Sequence, residues 1–181
     1  MSPASNAAPA FLVLTVIGDD RPGLVGELAA VVAEHHGNWL ESSMAQLAGK
    51  FAGIVKIGVA HAHAAKLQQA LLKINQLKIT AEVSESSQLV LATRRLKLAL
   101  VGNDRIGIVK EVSQVLARHA VNVESLDTHT SSAPMSADTL FHAVAELTAA
   151  AALDASALTR EQERISNDLM VDITLDESIS H

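Results

Sequence analysis

Apolar residues recur along this chain in two rhythms, and the switches between them predict its elements. Phe11 to Ile17 is almost wholly apolar, as in a central strand covered on both faces. Leu24, Leu28, Val31, Val32 and His35 then share one face of a helix. Asp20 suits the N-cap of that helix, Pro22 its first turn, and Gly37 a left-handed cap at its end. Trp39 to Leu47 predicts a second strand, Ala48-Gly49-Lys50 a tight turn, and Phe51 to Val59 a third strand. Leu67, Leu71 and Ile74 mark a second helix, and Ile79, Ala81 and Val83 alternate as a fourth strand.

The same order then repeats. Gly18-Asp19-Asp20-Arg21-Pro22-Gly23-Leu24-Val25 returns as Gly102-Asn103-Asp104-Arg105-Ile106-Gly107-Ile108-Val109, 84 residues later. His35 and His119 keep that offset, as do Asn38 and Asn122. Leu96, Leu98 and Leu100 alternate in a strand, and Ile108, Val112, Val115 and Leu116 line a helix. Val121 to Thr130 and Thr139 to Leu147 predict the middle hairpin, with a longer polar loop from Ser131 to Asp138. A weaker helix over 156–167 has only Leu158 and Ile165 as apolar positions, and Leu169, Val171 and Ile173 alternate in the last strand. The expected division is a flexible start over 1–10, a first domain over 11–85, a polar linker over 86–93, a second domain over 94–176 and a tail over 177–181.

This order predicts an α+β fold: two tandem ferredoxin-like (βαββαβ) domains, each an antiparallel four-stranded sheet with two helices on one face. A lone module of that kind leaves its other sheet face bare. The apolar first strand implies a cover, either the second module or a second chain. The halves are therefore expected to pack together, and a homodimer is a further expectation.

Composition narrows the function. Hydrophobic residues make up 49% of the 181, yet aromatics only 2%, so little is available for stacking bases. The net charge of −6 argues against direct nucleic-acid binding, which needs clustered cations. The densest basic group, Arg94, Arg95 and Lys97, reads as a strand entry. The lack of cysteine excludes thiolate catalysis and disulfides. No apolar stretch approaches about 20 residues, and the first residues lack the basic region of a secretory signal, so a cytoplasmic protein with no membrane contact is expected. No nucleophile elbow, phosphate-binding lysine or dinucleotide spacing is present. His61 and His63, read as a strand end, lack a third ligand at a recognised spacing and look like a surface pair. No catalytic residue, metal or cofactor is expected.

Asp20-Arg21-Pro22-Gly23-Leu24-Val25, with Asn38 opening the second strand, resembles the signature of ACT domains, and the resemblance covers both halves. Two such modules without a catalytic domain look most like the glycine cleavage system transcriptional repressor family. That resemblance implies a small amino acid, glycine or similar, as ligand. It also implies repression through a protein partner such as a LysR-type activator rather than through DNA. Copy two departs from the pattern, with Ile106 for Pro22 and Val121 for Gly37.

The turn has its own chemistry. A strand feeding a helix N-terminus presents unpaired amides at the positive end of the helix dipole, and Gly23 and Gly107 let a carboxylate approach them. Asp19, Asp20, Asn103 and Asp104 stand beside it and can accept from an ammonium group. The candidate ligand-binding set is Asp19, Asp20, Arg21, Gly23, Leu24 and Asn38, with Asn103, Asp104, Arg105, Gly107, Ile108 and Asn122 in copy two. The resemblance implies that Asn38 and Asn122 close the site from a neighbouring module. The bland alternative stays open: the aspartates cap helices and the asparagines satisfy turn backbone. At the level of function, the alternatives to an amino-acid sensor are a ligand-free interaction module and a regulatory subunit of an amino-acid metabolic enzyme.

Overall fold

The apolar run near the start of the chain forms β1 (Pro9–Asp19), and the periodic segment after it forms α1 (Leu24–Glu34). β2 (Asn38–Leu47) and β3 (Lys50–Ala60) make a hairpin, α2 (His61–Leu71) crosses back, and β4 (Leu77–Ser84) follows. The order then repeats as β5 (Thr93–Asn103), α3 (Ile108–Arg118), β6 (Asn122–Ser132), β7 (Thr139–Ala150), α4 (Ala155–Leu169) and β8 (Val171–Ser178). This computed structural model describes residues 9–84, 93–133, 138–169 and 171–178. Most of the expected flexible start and linker, and the middle of the Ser131–Asp138 loop, lie outside the described residues. The chain divides into two compact units, Met1–Gln88 and Leu89–His181.

Each unit holds one antiparallel sheet, in the order β2-β3-β1-β4 and β6-β7-β5-β8. That is the ferredoxin-like arrangement, so both halves of the repeat adopt the expected fold. Period two decides the burial. Leu12, Leu14 and Val16 of β1 meet Leu24, Leu28 and Val32 of α1 and Leu67 and Leu71 of α2 in one core. Leu96, Leu98 and Leu100 meet Ile108, Val112, Val115 and Leu116, with Leu158 of α4, in the other. On the opposite face of β1, Ile17 is 45% exposed. Phe11 and Val13 of that same face are half-buried, so within its own unit this face is covered less fully than the core face.

Three local expectations need correction. Asp20 does not cap α1: the N-cap is Gly23, in the left-handed region at φ 93°, and Gly107 repeats this at φ 95°. The chain turns after the aspartate, so the residue whose carbonyl opens the helix must accept positive φ, which favours glycine. Nor is Gly37 the left-handed end of α1. His36 takes that conformation at φ 59°, and Ala120 matches it at φ 53°. The next amide then reaches back, Gly37 N–H to Val32 O at 2.8 Å and Val121 N–H to Leu116 O at 2.9 Å, closing each helix in the Schellman manner. Gly37 is small for another reason: a Cβ there would meet Val32 and Ile57 side chains at 2.9 and 3.0 Å. Lastly, His61 and His63 open α2 rather than end a strand.

Candidate functional site

The strand-to-helix turn is built alike in both units. Glu27 N–H donates to Gly23 O at 2.9 Å, and Glu111 N–H to Gly107 O at 3.0 Å; these are the first bonds of α1 and α3. The amides of Leu24, Val25 and Gly26, and of Ile108, Val109 and Lys110, come before those bonds and have no helical acceptor. No side chain caps either helix. At Gly23 nothing lies within 4 Å of where a Cβ would stand.

Anchors hold the turn from below. Asp20 N–H donates to Gly49 O at 2.9 Å, so the β2–β3 hairpin tip fixes it, and Asp104 N–H reaches Thr139 O at 2.8 Å in the same place of unit two. The arginines lie over the helix start. Arg21 holds Glu27 by two bonds of 2.7 Å, and Arg105 holds Glu111 by bonds of 3.0 and 2.7 Å. Each guanidinium thereby keeps its glutamate carboxyl below the ordinary range and is itself held in the charged form. Asp19 pairs with Lys50, chiefly by a hydrogen bond, and its carboxyl is likewise lowered. Glu27, Glu111 and Lys50 are absent from the set expected from sequence. The 84-residue offset relates Glu27 to Glu111, so the repeat carried that signal.

The other expected residues divide. Asp20 and Asp104 are exposed, and their carboxylates have no partner among the described residues. Leu24 and Ile108 are core side chains, 3% exposed, so each offers a ligand only its amide. Asn103 is exposed at the end of β5. Asn38 and Asn122 open β2 and β6, opposite Gly58 and Thr148. They follow the far ends of α1 and α3, and the 11 residues of α1 span about 16 Å. A unit therefore does not bring its own asparagine to its own turn.

Elsewhere, His63 stands against His36, ring centroids 5.0 Å apart. Among the described residues no three or more His, Cys, Asp or Glu side chains gather as a metal site. Arg94 donates to Leu153 O at 3.1 Å, which fits a strand entry. No described helix is long and apolar enough to cross a membrane.

The sequence matches the ACT domain family over residues 10–92. A UPF0237 protein of Methanopyrus kandleri is 36% identical over 66 residues, which are 35% of this chain and 73% of that protein. The chain belongs to the ACT-domain family. Both ACT units are covered by two solved structures. An unknown protein from Galdieria sulphuraria has a TM-score of 0.84 and 30% identity, with 95% of this chain and 100% of that chain covered. A protein described as a putative glycine cleavage system transcriptional repressor has a TM-score of 0.71 over 95% of this chain and 99% of that one; at 19% identity this is a likeness of fold. The tandem ACT architecture thus recurs along almost the whole chain.

Proposed function

We propose that this ACT-domain protein is a non-catalytic regulator that binds a small amino acid at its strand-to-helix turns and acts through a protein partner. One observation carries the proposal. Each turn carries amides without a helical acceptor and, four residues before the first of them, an exposed aspartate, Asp20 or Asp104, whose carboxylate has no partner among the described residues. A zwitterion complements both, with its carboxylate on the amides of Leu24 to Gly26 or Ile108 to Lys110 and its ammonium on the aspartate. Asp19 and Asn103 flank the ligand, Gly23 and Gly107 shape its seat, Arg21 and Arg105 brace the turn, and Asn38 and Asn122 close it from a neighbouring module.

Charge and surface support a protein partner rather than DNA. The chain carries a net charge of −6. In unit two an apolar crevice between α3 and β6 is lined by Val109, Val112, Leu116, Val123 and Leu126. Unit one packs Trp39 against its core at the position of Val123, 84 residues earlier. The exposed rim of the crevice, Val109, Val123 and Leu126, suits a protein surface, including a second copy of this chain. With the fold likeness to the described repressor, the specific proposal is cytoplasmic control of glycine cleavage genes, with glycine or a similar amino acid as signal and a LysR-type activator as partner.

A thermal-shift screen of the common amino acids tests the sensor. A ligand at 100 times its Kd adds about 2.7 kcal/mol. No response to any amino acid at millimolar concentration overturns the proposal. A gel shift with generic DNA at low salt is expected to show no retardation.

A further inference from the structure

We propose that the apolar crevice of unit two, between α3 and β6, is a binding site for one small uncharged aromatic molecule, of about the size of indole, set in the place that unit one fills with its own Trp39. The inference goes beyond the reading above, which concerns the turns and the rim of the crevice and not its interior.

Three observations support it. First, Trp39 and Val123 stand at the same point of the repeat. They are 84 residues apart, pair with Ile57 and Leu147 across their hairpins, and each directly precedes a bulge. Trp39 packs against the core of unit one. Val123 is too short to fill the same space. The floor is lowered as well, since Ala145 opposite Leu98 stands where unit one has Val55 opposite Leu14. Leu126 takes the place of Ser42, but it is 48% exposed and lines the rim without closing the gap. Second, the space left is of ligand size. With its solvent-open mouth it measures about 390 Å³, walled on the helix side by Val112 and Leu116. That lies at the small end of natural ligand pockets and suits one ring system. Third, its chemistry selects a neutral ring. Every lining side chain is apolar except Ser113. An ionised group would lose its hydration there without a partner, whereas an apolar cavity stays dry and takes up benzene-like rings. Ser113 is exposed on α3 where unit one has Ala29. Its hydroxyl can accept a hydrogen bond from one ring N–H or O–H.

Methyl-detected NMR titration of the full chain with indole, phenol and toluene tests the site, with indole-3-carboxylate and benzoate as charged controls. The neutral rings are expected to bind saturably at or below about millimolar concentration, with shifts gathered at Val112, Leu116, Val123 and Leu126, and the charged analogues at least about tenfold more weakly. Val123→Trp supplies from the chain what the ligand supplies, and should abolish binding while raising the melting temperature of the free protein. Ala145→Val restores the floor of unit one and should weaken binding by about tenfold or more; it decides the matter where the larger side chain prevents folding. Ser113→Ala should weaken indole and phenol by about threefold or more and leave toluene unchanged. The proposal is overturned if no neutral ring binds, if binding survives both Val123→Trp and Ala145→Val, or if the charged analogues bind as well as the neutral ones. None of these substitutions touches Asp20 or the first turn, so such a failure leaves the amino-acid reading to be judged by its own screen.

Discussion

His119 Nε2 lies 2.6 Å from Glu161 Oε2, which ties the C-cap of α3 to the second turn of α4. Arg118 reaches the same carboxylate, Nε to Oε1 at 3.0 Å. In unit one the matching His35 turns back on its own helix instead, Nδ1 to Val31 O at 3.0 Å. The bond from His119, and then those from Arg118, hold the Glu161 carboxyl below its ordinary 4.5. A carboxyl depressed in the folded state adds stability above its unfolded pKa and loses it as pH falls through the folded value. The chain should therefore lose stability as the medium is acidified below 4.5. Glu161→Gln should lower stability at neutral pH and flatten that acid limb. Thermal melts across the acid range check this, and an unchanged slope in the variant counts against the tie.

Glycine substitutions in the first unit should differ in sign. Gly26 lies inside α1 with nothing within 4 Å of where a Cβ would stand, so Gly26→Ala is expected to stabilise by about 0.5–1 kcal/mol. Gly23 also has open space, but its φ of 93° strains any L side chain, so Gly23→Ala should cost about 1–2 kcal/mol. Chemical denaturation of the two variants under one set of conditions separates backbone strain from crowding. Equal midpoints would contradict the left-handed cap.

The hairpin tip offers a third test. Leu47 pairs with Lys50 across Ala48 and Gly49, whose φ values are 49° and 77°. Two positive values in a two-residue loop make a type I′ turn, which prefers Asn-Gly. Ala48→Asn should stabilise by roughly 0.5 kcal/mol, since asparagine tolerates the left-handed region better than alanine. The denaturation midpoint should rise without a change in m-value. A fall would mean that the exposed tip is shaped by something other than its own backbone.

Much of this fold was legible because a repeated pattern is read twice. Leu12, Leu14 and Val16 alternate just as Leu96, Leu98 and Leu100 do, and both sets are buried. The failures were at positions where backbone conformation outranks side-chain preference. Asp20 has the chemistry of a cap, but the helix starts three residues later, where only positive φ closes the turn. The repeat held a clue, since Gly23 and Gly107 persist while Pro22 becomes Ile106. Gly37 resembled a left-handed cap, although copy two has Ala120-Val121 there and no glycine at all. Of the candidate turn, Asp20 and Asp104 were named from the repeat and have carboxylates without a partner among the described residues, whereas Arg21 and Arg105 pair with glutamates six residues on, which no local spacing rule announces.

Asp20→Ala now separates sensing from structure. As a helix cap its loss would cost about 1 kcal/mol. The cap is Gly23, however, and the structural bond of Asp20 is its backbone N–H to Gly49 O, which alanine keeps. The change in stability without ligand should therefore stay within about 0.5 kcal/mol, as for an ordinary surface substitution. In the proposed function its carboxylate accepts from the ligand's ammonium group, and a charge-assisted hydrogen bond of about 1.5–3 kcal/mol amounts to about 10–150-fold in affinity. Calorimetry with the responding amino acid should show a loss in that range, while the melting temperature without ligand holds. The reverse result, a lower melting temperature with binding intact, would make the aspartate a structural residue and move the ligand away from the turn.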